Sequence, residues 1–220
     1  MVTFGQAAQI LLGPPPAHIE NFVEREQAPV AAGSDSTVTS VVRVLRSNLA
    51  PARGTTVRFE FPTTPGAPTP TTAVETVTDA DGRARISWRP GTVAGQFVVS
   101  AEVDGLAPLT VLANVLAAEP HSLEIVGGNN QIGQAGWKFR SRFEARVQDR
   151  FGNPVGGVWP LLAFDESLLW IDEESVHESE HTGVMFFEAS ARAPGADVIA
   201  IGVELASGEF LVDYFDYSIV

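Results

Sequence analysis

The chain has 220 residues, enough for one or two domains. Its net charge of −13 comes from 27 acidic and 14 basic residues, which argues against nucleic acid and anionic membranes, where phosphate charge must be neutralised. There is no cysteine, so any core holds by packing alone, and no apolar run reaches the roughly 20 residues of a membrane span.

Residues 1–16 have no basic start, and their apolar stretch ends in Gly13-Pro14-Pro15-Pro16, unlike a signal peptide. The expectation is a chain outside general secretion, a piece of a longer exported protein, or a component that leaves the cell inside a particle. Gln9-Ile10-Leu11-Leu12 reads as a strand ahead of a domain junction. It either packs on its own chain or forms an arm that adds to a neighbouring subunit by β-augmentation.

From residue 17 onward the pattern has period two. Val57, Phe59 and Phe61 point one way, and Arg58 and Glu60 the other. Pro62–Pro70 holds four prolines in nine residues and is a loop, because proline cannot donate to a strand ladder. Asp81-Gly82 is a tight turn leading to Ala84, Ile86 and Trp88 on one face. Phe97, Val99, Ala101 and Val103 form the next inward row. After the short junction Leu116–Pro120 come Phe143, Ala145 and Val147, and later Ile199, Ile201, Val203 and Leu205.

Much of the first half predicts the second at an offset of 103 residues. His18 maps to His121, Val23 to Val126, Ala32-Gly33 to Ala135-Gly136, and Arg43-Val44 to Arg146-Val147. Pro51, Gly54, Phe61 and Gly105 map to Pro154, Gly157, Phe164 and Gly208. The reading is an N-terminal arm or strand at 1–16, one domain at 17–118 and a second at 119–220. Many short strands between turn signals make each a sandwich, and a short proline-bearing linker sets them end to end.

The second half carries Val147-Gln148-Asp149-Arg150-Phe151-Gly152-Asn153-Pro154-Val155-Gly156-Gly157, preceded by Gln131-x-Gly133-x-Ala135-Gly136. The first half carries Thr78-Asp79-Ala80-Asp81-Gly82-Arg83-Ala84 and Val98–Gly105. Over residues 17–220 this resembles the group 1 bacterial immunoglobulin-like repeat of the invasin and intimin adhesins. The resemblance implies an all-β fold of two tandem immunoglobulin-like β-sandwiches, acting as spacers or stalks on bacterial surfaces or tailed-phage particles. The first half departs from the motif at Asn48-Leu49-Ala50-Pro51, where the Gly-Asn pair is lost and the turn type becomes open.

His177-Glu178-Ser179-Glu180-His181 spells the zinc-peptidase string H-E-x-x-H, but acidic residues precede it and Gly183 follows, so a solvated loop is the better reading. Asp79-Ala80-Asp81-Gly82 begins like a calcium loop without the later ligands and reads as turn chemistry. His18 and His121 read as packing at domain boundaries. Trp88, Trp137, Trp159 and Trp170 read first as core or half-buried; a sugar platform would need Trp137 and Trp159 exposed.

No catalytic, cofactor or metal residue is assigned. The expected function is a non-enzymatic structural or adhesive protein, foremost a virion-exposed accessory protein of a tailed phage. The alternatives are a stalk segment of a bacterial adhesin and, distantly, a zinc hydrolase using His177, Glu178 and His181. Expected partners are proteins of an assembly, reached through residues 1–16, and a host-surface glycan or receptor. Nucleic acid and a membrane span are not expected.

Overall fold

The computed structural model describes residues 14–22 and 30–220, and the helical structure among them is one short 3-10 turn at Glu173–Ser175. The first thirteen residues, most of the expected arm, lie outside the described residues, as does Val23. The chain divides into two compact units, one ending at Leu116 and the other beginning at Ala117.

Unit 1 comprises β1 (Pro16–Asn21), β2 (Val30–Ala31), β3 (Val38–Arg46), β4 (Thr56–Glu60), β5 (Val74–Val77), β6 (Arg83–Trp88), β7 (Gly95–Glu102) and β8 (Leu109–Leu116). They form two sheets, β1-β3-β6 and β2-β8-β7-β4-β5, in which only β2 and β8 run parallel. Alternation puts Val57 and Phe59 of β4, Ala84 and Ile86 of β6, and Val99 and Ala101 of β7 into one core. Each fully buried Val or Phe contributes about 1.5–3 kcal/mol. Trp88 joins them because its indole N–H donates to Ser40 Oγ at 3.0 Å, leaving no polar atom stranded.

Unit 2 comprises β9 (Pro120–Gly127), β10 (Gln131–Gly133), β11 (Phe143–Asp149), β12 (Leu161–Ala163), β13 (Leu169–Ile171), β14 (Val184–Phe187), β15 (Ala189–Ala191), β16 (Gly195–Glu204) and β17 (Phe210–Ile219). Its sheets are β14-β11-β9 and β10-β17-β16-β12, with β13 and β15 as a separate pair. Its core is aromatic: Phe143 stacks on Phe187 at 5.1 Å and meets Phe215 edge-on at 5.2 Å. Leu205 is not a strand residue. It is half-buried in the turn after β16, where its N–H donates to Glu209 O and Gly208 holds φ 82°.

The repeat extends to individual turn hydrogen bonds. In unit 2, Gly152 N–H donates to Asp149 O and Asp149 N–H to Asn153 O, with Gly152 at φ 84°. In unit 1, Leu49 N–H donates to Arg46 O and Arg46 N–H to Ala50 O, with Leu49 at φ 63°. The turn left open by the sequence is therefore the same turn. The bridges Leu45–Pro51 and Gln148–Pro154 hold both in register, and a leucine bears the left-handed backbone that glycine accepts freely.

Asp149 explains the acidic position of the motif. It is buried, and its carboxylate accepts from the N–H groups of Phe151, Asn153 and Ala118 at 2.9 Å and from Asn153 Nδ2 at 2.7 Å. Burial, the largest single influence, pushes its pKa up, but hydrogen bonds from Asn153, Ala118 and Phe151 together hold it below the ordinary carboxylate value. The side chain thus ties the turn to the chain leading into β9. Unit 1 has Arg46 here, and its guanidinium donates to the Pro14 carbonyl. Pro14, Pro15 and Pro16 offer no N–H, so this tether needs a side-chain donor where unit 2 uses an acceptor.

Candidate binding surface

The H-E-x-x-H string is extended, not helical, and runs into a turn closed by Gly183 N–H donating to Glu180 O. Its middle residue, Ser179, is buried; Ser179 Oγ accepts from Val158 N–H at 3.0 Å and donates to Val155 O at 2.8 Å. Thr78 of unit 1 does the same, accepting from Thr55 N–H and donating to Ala52 O. The backbone pairs also correspond: Gly157 N–H to Ser179 O matches Gly54 N–H to Thr78 O. The string is thus laid over a structural hydroxyl of the repeat. His177 stacks on Phe186 at 4.3 Å, while His181 is exposed in the turn.

Asp79 is a turn residue. Its carboxylate accepts from Arg85 Nη1 at 2.7 Å and from the N–H groups of Asp81 and Arg83, and these, Arg85 first, hold its pKa down at about 2. His18 and His121 are exposed strand residues, not packing residues, because each falls on the solvent side of the alternation in β1 and β9. Three of the four tryptophans also depart from the core reading. Trp88 is buried, but Trp137 is 67% exposed, Trp159 60% and Trp170 44%. They do not make one platform. Trp137 lies beside β15, to which it is hydrogen-bonded, whereas Trp159 precedes β12 at the Glu204–Phe210 end of its sheet.

The outer face of the β10-β17-β16-β12 sheet emerges from strand pairing. Phe210, Val212 and Tyr214 of β17 are exposed, opposite Glu204, Gly202 and Ala200 of β16. Leu161 and Ala163 of β12 lie across from the same Gly202 and Ala200. The small middle strand leaves the large side chains on both flanks standing clear of the sheet. Val198 and Trp159 extend the exposed apolar surface. No strand of this sheet contains Lys, Arg or His; on its outer face Glu204 and Asp216 supply negative charge, whereas Asp197 and Asp213 alternate with the inward set and Asp213 accepts from Ile125 N–H.

Unit 1 builds the corresponding sheet differently. Gln96 Nε2 donates to Asn114 Oδ1 across β7 and β8, Ser100 pairs with Thr110, and Arg58 on β4 binds Glu60 at 2.8 Å. Its exposed apolar residues, Val77, Val98, Leu112 and Leu116, are aliphatic and interspersed with these polar groups. The fold therefore does not require an apolar outer face. That makes the aromatic face of unit 2 a candidate site, since contiguous exposed apolar surface marks interaction sites.

Beside this face, β12 ends its sheet, and its outer edge carries no further strand among the described residues. A cleft of about 840 Å³ lies there, with Leu161, Phe164, Trp170 and Val176 among its walls.

No protein-family model matches the chain, and no curated protein matches it by sequence. Solved structures do match. InvD of Yersinia pseudotuberculosis aligns over 87% of this chain and 55% of its own, at 20% identity and TM-score 0.66. FdeC, an Escherichia coli adhesin, aligns over 91% of this chain and 63% of its own, at 16% identity and TM-score 0.50. Invasin, a bacterial integrin-binding protein, aligns over 92% and 39% at 18% identity, with a looser TM-score of 0.42. The chain spans less than two thirds of each of these. Its fold is all-β and immunoglobulin-like, shared with InvD and FdeC.

Proposed function

We propose that this chain is a non-enzymatic adhesive or structural protein of a cell or particle surface, built from group 1 bacterial immunoglobulin-like repeats. It grips a protein partner through the outer sheet face of unit 2. The observation that carries this reading is the contrast between units: the same sheet position exposes Phe210 and Tyr214 in unit 2, whereas in unit 1 its exposed apolar residues are aliphatic and alternate with polar pairs. Aromatic side chains give large contact area at low entropic cost, which is why they anchor interfaces. The description of FdeC as an adhesin supports a bacterial cell-surface setting over the phage particle.

The test is adhesion of beads coated with the chain to a panel of animal-cell monolayers and bacterial cells. A Phe210→Asp/Tyr214→Asp variant should lose adhesion while unfolding at an unchanged temperature. Undiminished adhesion by that variant, or no adhesion by the unaltered chain, would overturn the reading. Capsid and tail genes flanking its own gene would move the setting to a phage particle, and an enclosing frame with a signal peptide would keep it on the bacterial surface.

A further inference from the structure

We infer that the free edge of β12 receives an extended, basic peptide segment by strand addition. The inference concerns the edge of the sheet, not its face, and stands without the preceding reading.

The repeat supplies the argument. Thr78 and Ser179 are equivalent anchor points, each tied to the loop before β4 or β12 by matching hydrogen bonds. In unit 1 the residues before Thr78 form β5, which pairs along β4 from Thr56–Val77 to Phe59–Val74. In unit 2 the residues before Ser179 turn away. His177 bridges to Phe186, and Glu173–Ser175 coils into the 3-10 turn. The edge that β5 covers in unit 1 is thereby left open, and the 840 Å³ cleft occupies the corresponding place.

An open strand edge presents a row of backbone donors and acceptors, and an added strand satisfies them. The cleft also offers apolar walls for alternate side chains, chiefly Leu161, Phe164 and Trp170. Its charge selects the occupant. Among the described residues, Glu166, Asp172, Glu173 and Glu174 line it against one cation, Arg192, whose Nη1 already donates to the Glu166 carbonyl. An apolar segment with lysine or arginine at alternate positions complements it, whereas a second copy of this acidic chain does not.

The probe is the acetylated, amidated hexapeptide Thr-Val-Lys-Val-Lys-Val, with a glutamate-for-lysine counterpart, titrated into the full chain and followed by amide NMR. The lysine peptide should shift Leu161–Ala163 and the Trp170 indole, and bind at least tenfold tighter than its counterpart. A Glu173→Lys/Glu174→Lys variant, with its melting temperature checked against the unaltered chain, should erase that preference. Equal binding of the two peptides, shifts confined to other strands, or no shift at millimolar peptide would each overturn the inference. So would sedimentation showing a dimer that the same variant dissociates, since that would seat a second copy at the edge.

Discussion

Replacing Gly183 or its unit 1 counterpart Gly82 with alanine tests whether the repeat is physically the same in both halves. Both have positive φ, 72° and 74°. An added Cβ would fall 2.5 Å from Val147 O in one case and 2.5 Å from Val44 O in the other, and both are backbone atoms of paired strands. Gly105 and Gly208 are the controls: their φ values are 81° and 82°, and an added Cβ meets nothing within 4 Å. At the controls a left-handed alanine costs roughly 1–2 kcal/mol, offset by about 0.5–1 kcal/mol of backbone entropy, for a net loss of about 0.5–1 kcal/mol. At Gly82 and Gly183 the displaced strand adds about 1–3 kcal/mol, for a total of about 1.5–4 kcal/mol. In a domain of this size each kcal/mol moves the melting temperature by roughly 4–8 °C, so calorimetry resolves the two classes. The expected order is Gly183→Ala well below Gly208→Ala in unit 2, and Gly82→Ala well below Gly105→Ala in unit 1. Equal losses within either pair would refute the close approach of turn and strand.

Leu49→Asn should raise the stability of unit 1 by about 0.5–1 kcal/mol in urea denaturation, because asparagine tolerates the left-handed backbone and Leu49 is 74% exposed. Ser179→Ala should cost unit 2 about 1–3 kcal/mol by stranding the Val158 N–H and Val155 carbonyl, whereas His181→Ala should stay within about 0.5 kcal/mol. Asp149 has a lowered folded-state pKa, so its contribution is present above the ordinary value of 3.8 and is lost as pH falls through the folded value. The stability gap between the unaltered chain and Asp149→Asn should therefore be widest near neutral pH and narrow below about pH 3.8, as followed by denaturant unfolding. Val212→Asp should leave unit 2 folded within about 0.5 kcal/mol by calorimetry, because that side chain faces solvent.

The inward rows of β4, β6, β7 and β11 were legible because a period of two is a local property, visible in Val57, Phe59, Val99 and Ala145 without knowledge of any partner strand. The turn glycines were legible for the same local reason. The aromatic face was not. In Phe210–Phe215 both alternating sets contain apolar residues, so the sequence does not say which set faces water. The signal available was the small Ala200 and Gly202 of β16, which only pairing places beside Tyr214 and Val212. The tryptophans misled because size and apolarity predict burial on average, while Trp137, Trp159 and Trp170 sit outside the inward rows.

By itself the sequence determined the inward rows of β4, β6, β7 and β11 and the doubling of the unit, because side-chain alternation acts between residues near in the chain and the offset of 103 is read by comparing the halves. It also determined that Asp149 and Asn153 stand four residues apart, close enough to bond. Only the tertiary structure decided that Ser179, not its flanking histidines, holds the loop, that Leu49 keeps a glycine turn, and that among the described residues β12 lacks the neighbour β4 has. The first and third outcomes depend on hydrogen bonds between residues roughly twenty to forty positions apart, and no local pattern encodes which of them form; the Leu49 turn is closed by local bonds with Arg46, but a leucine does not announce a left-handed backbone.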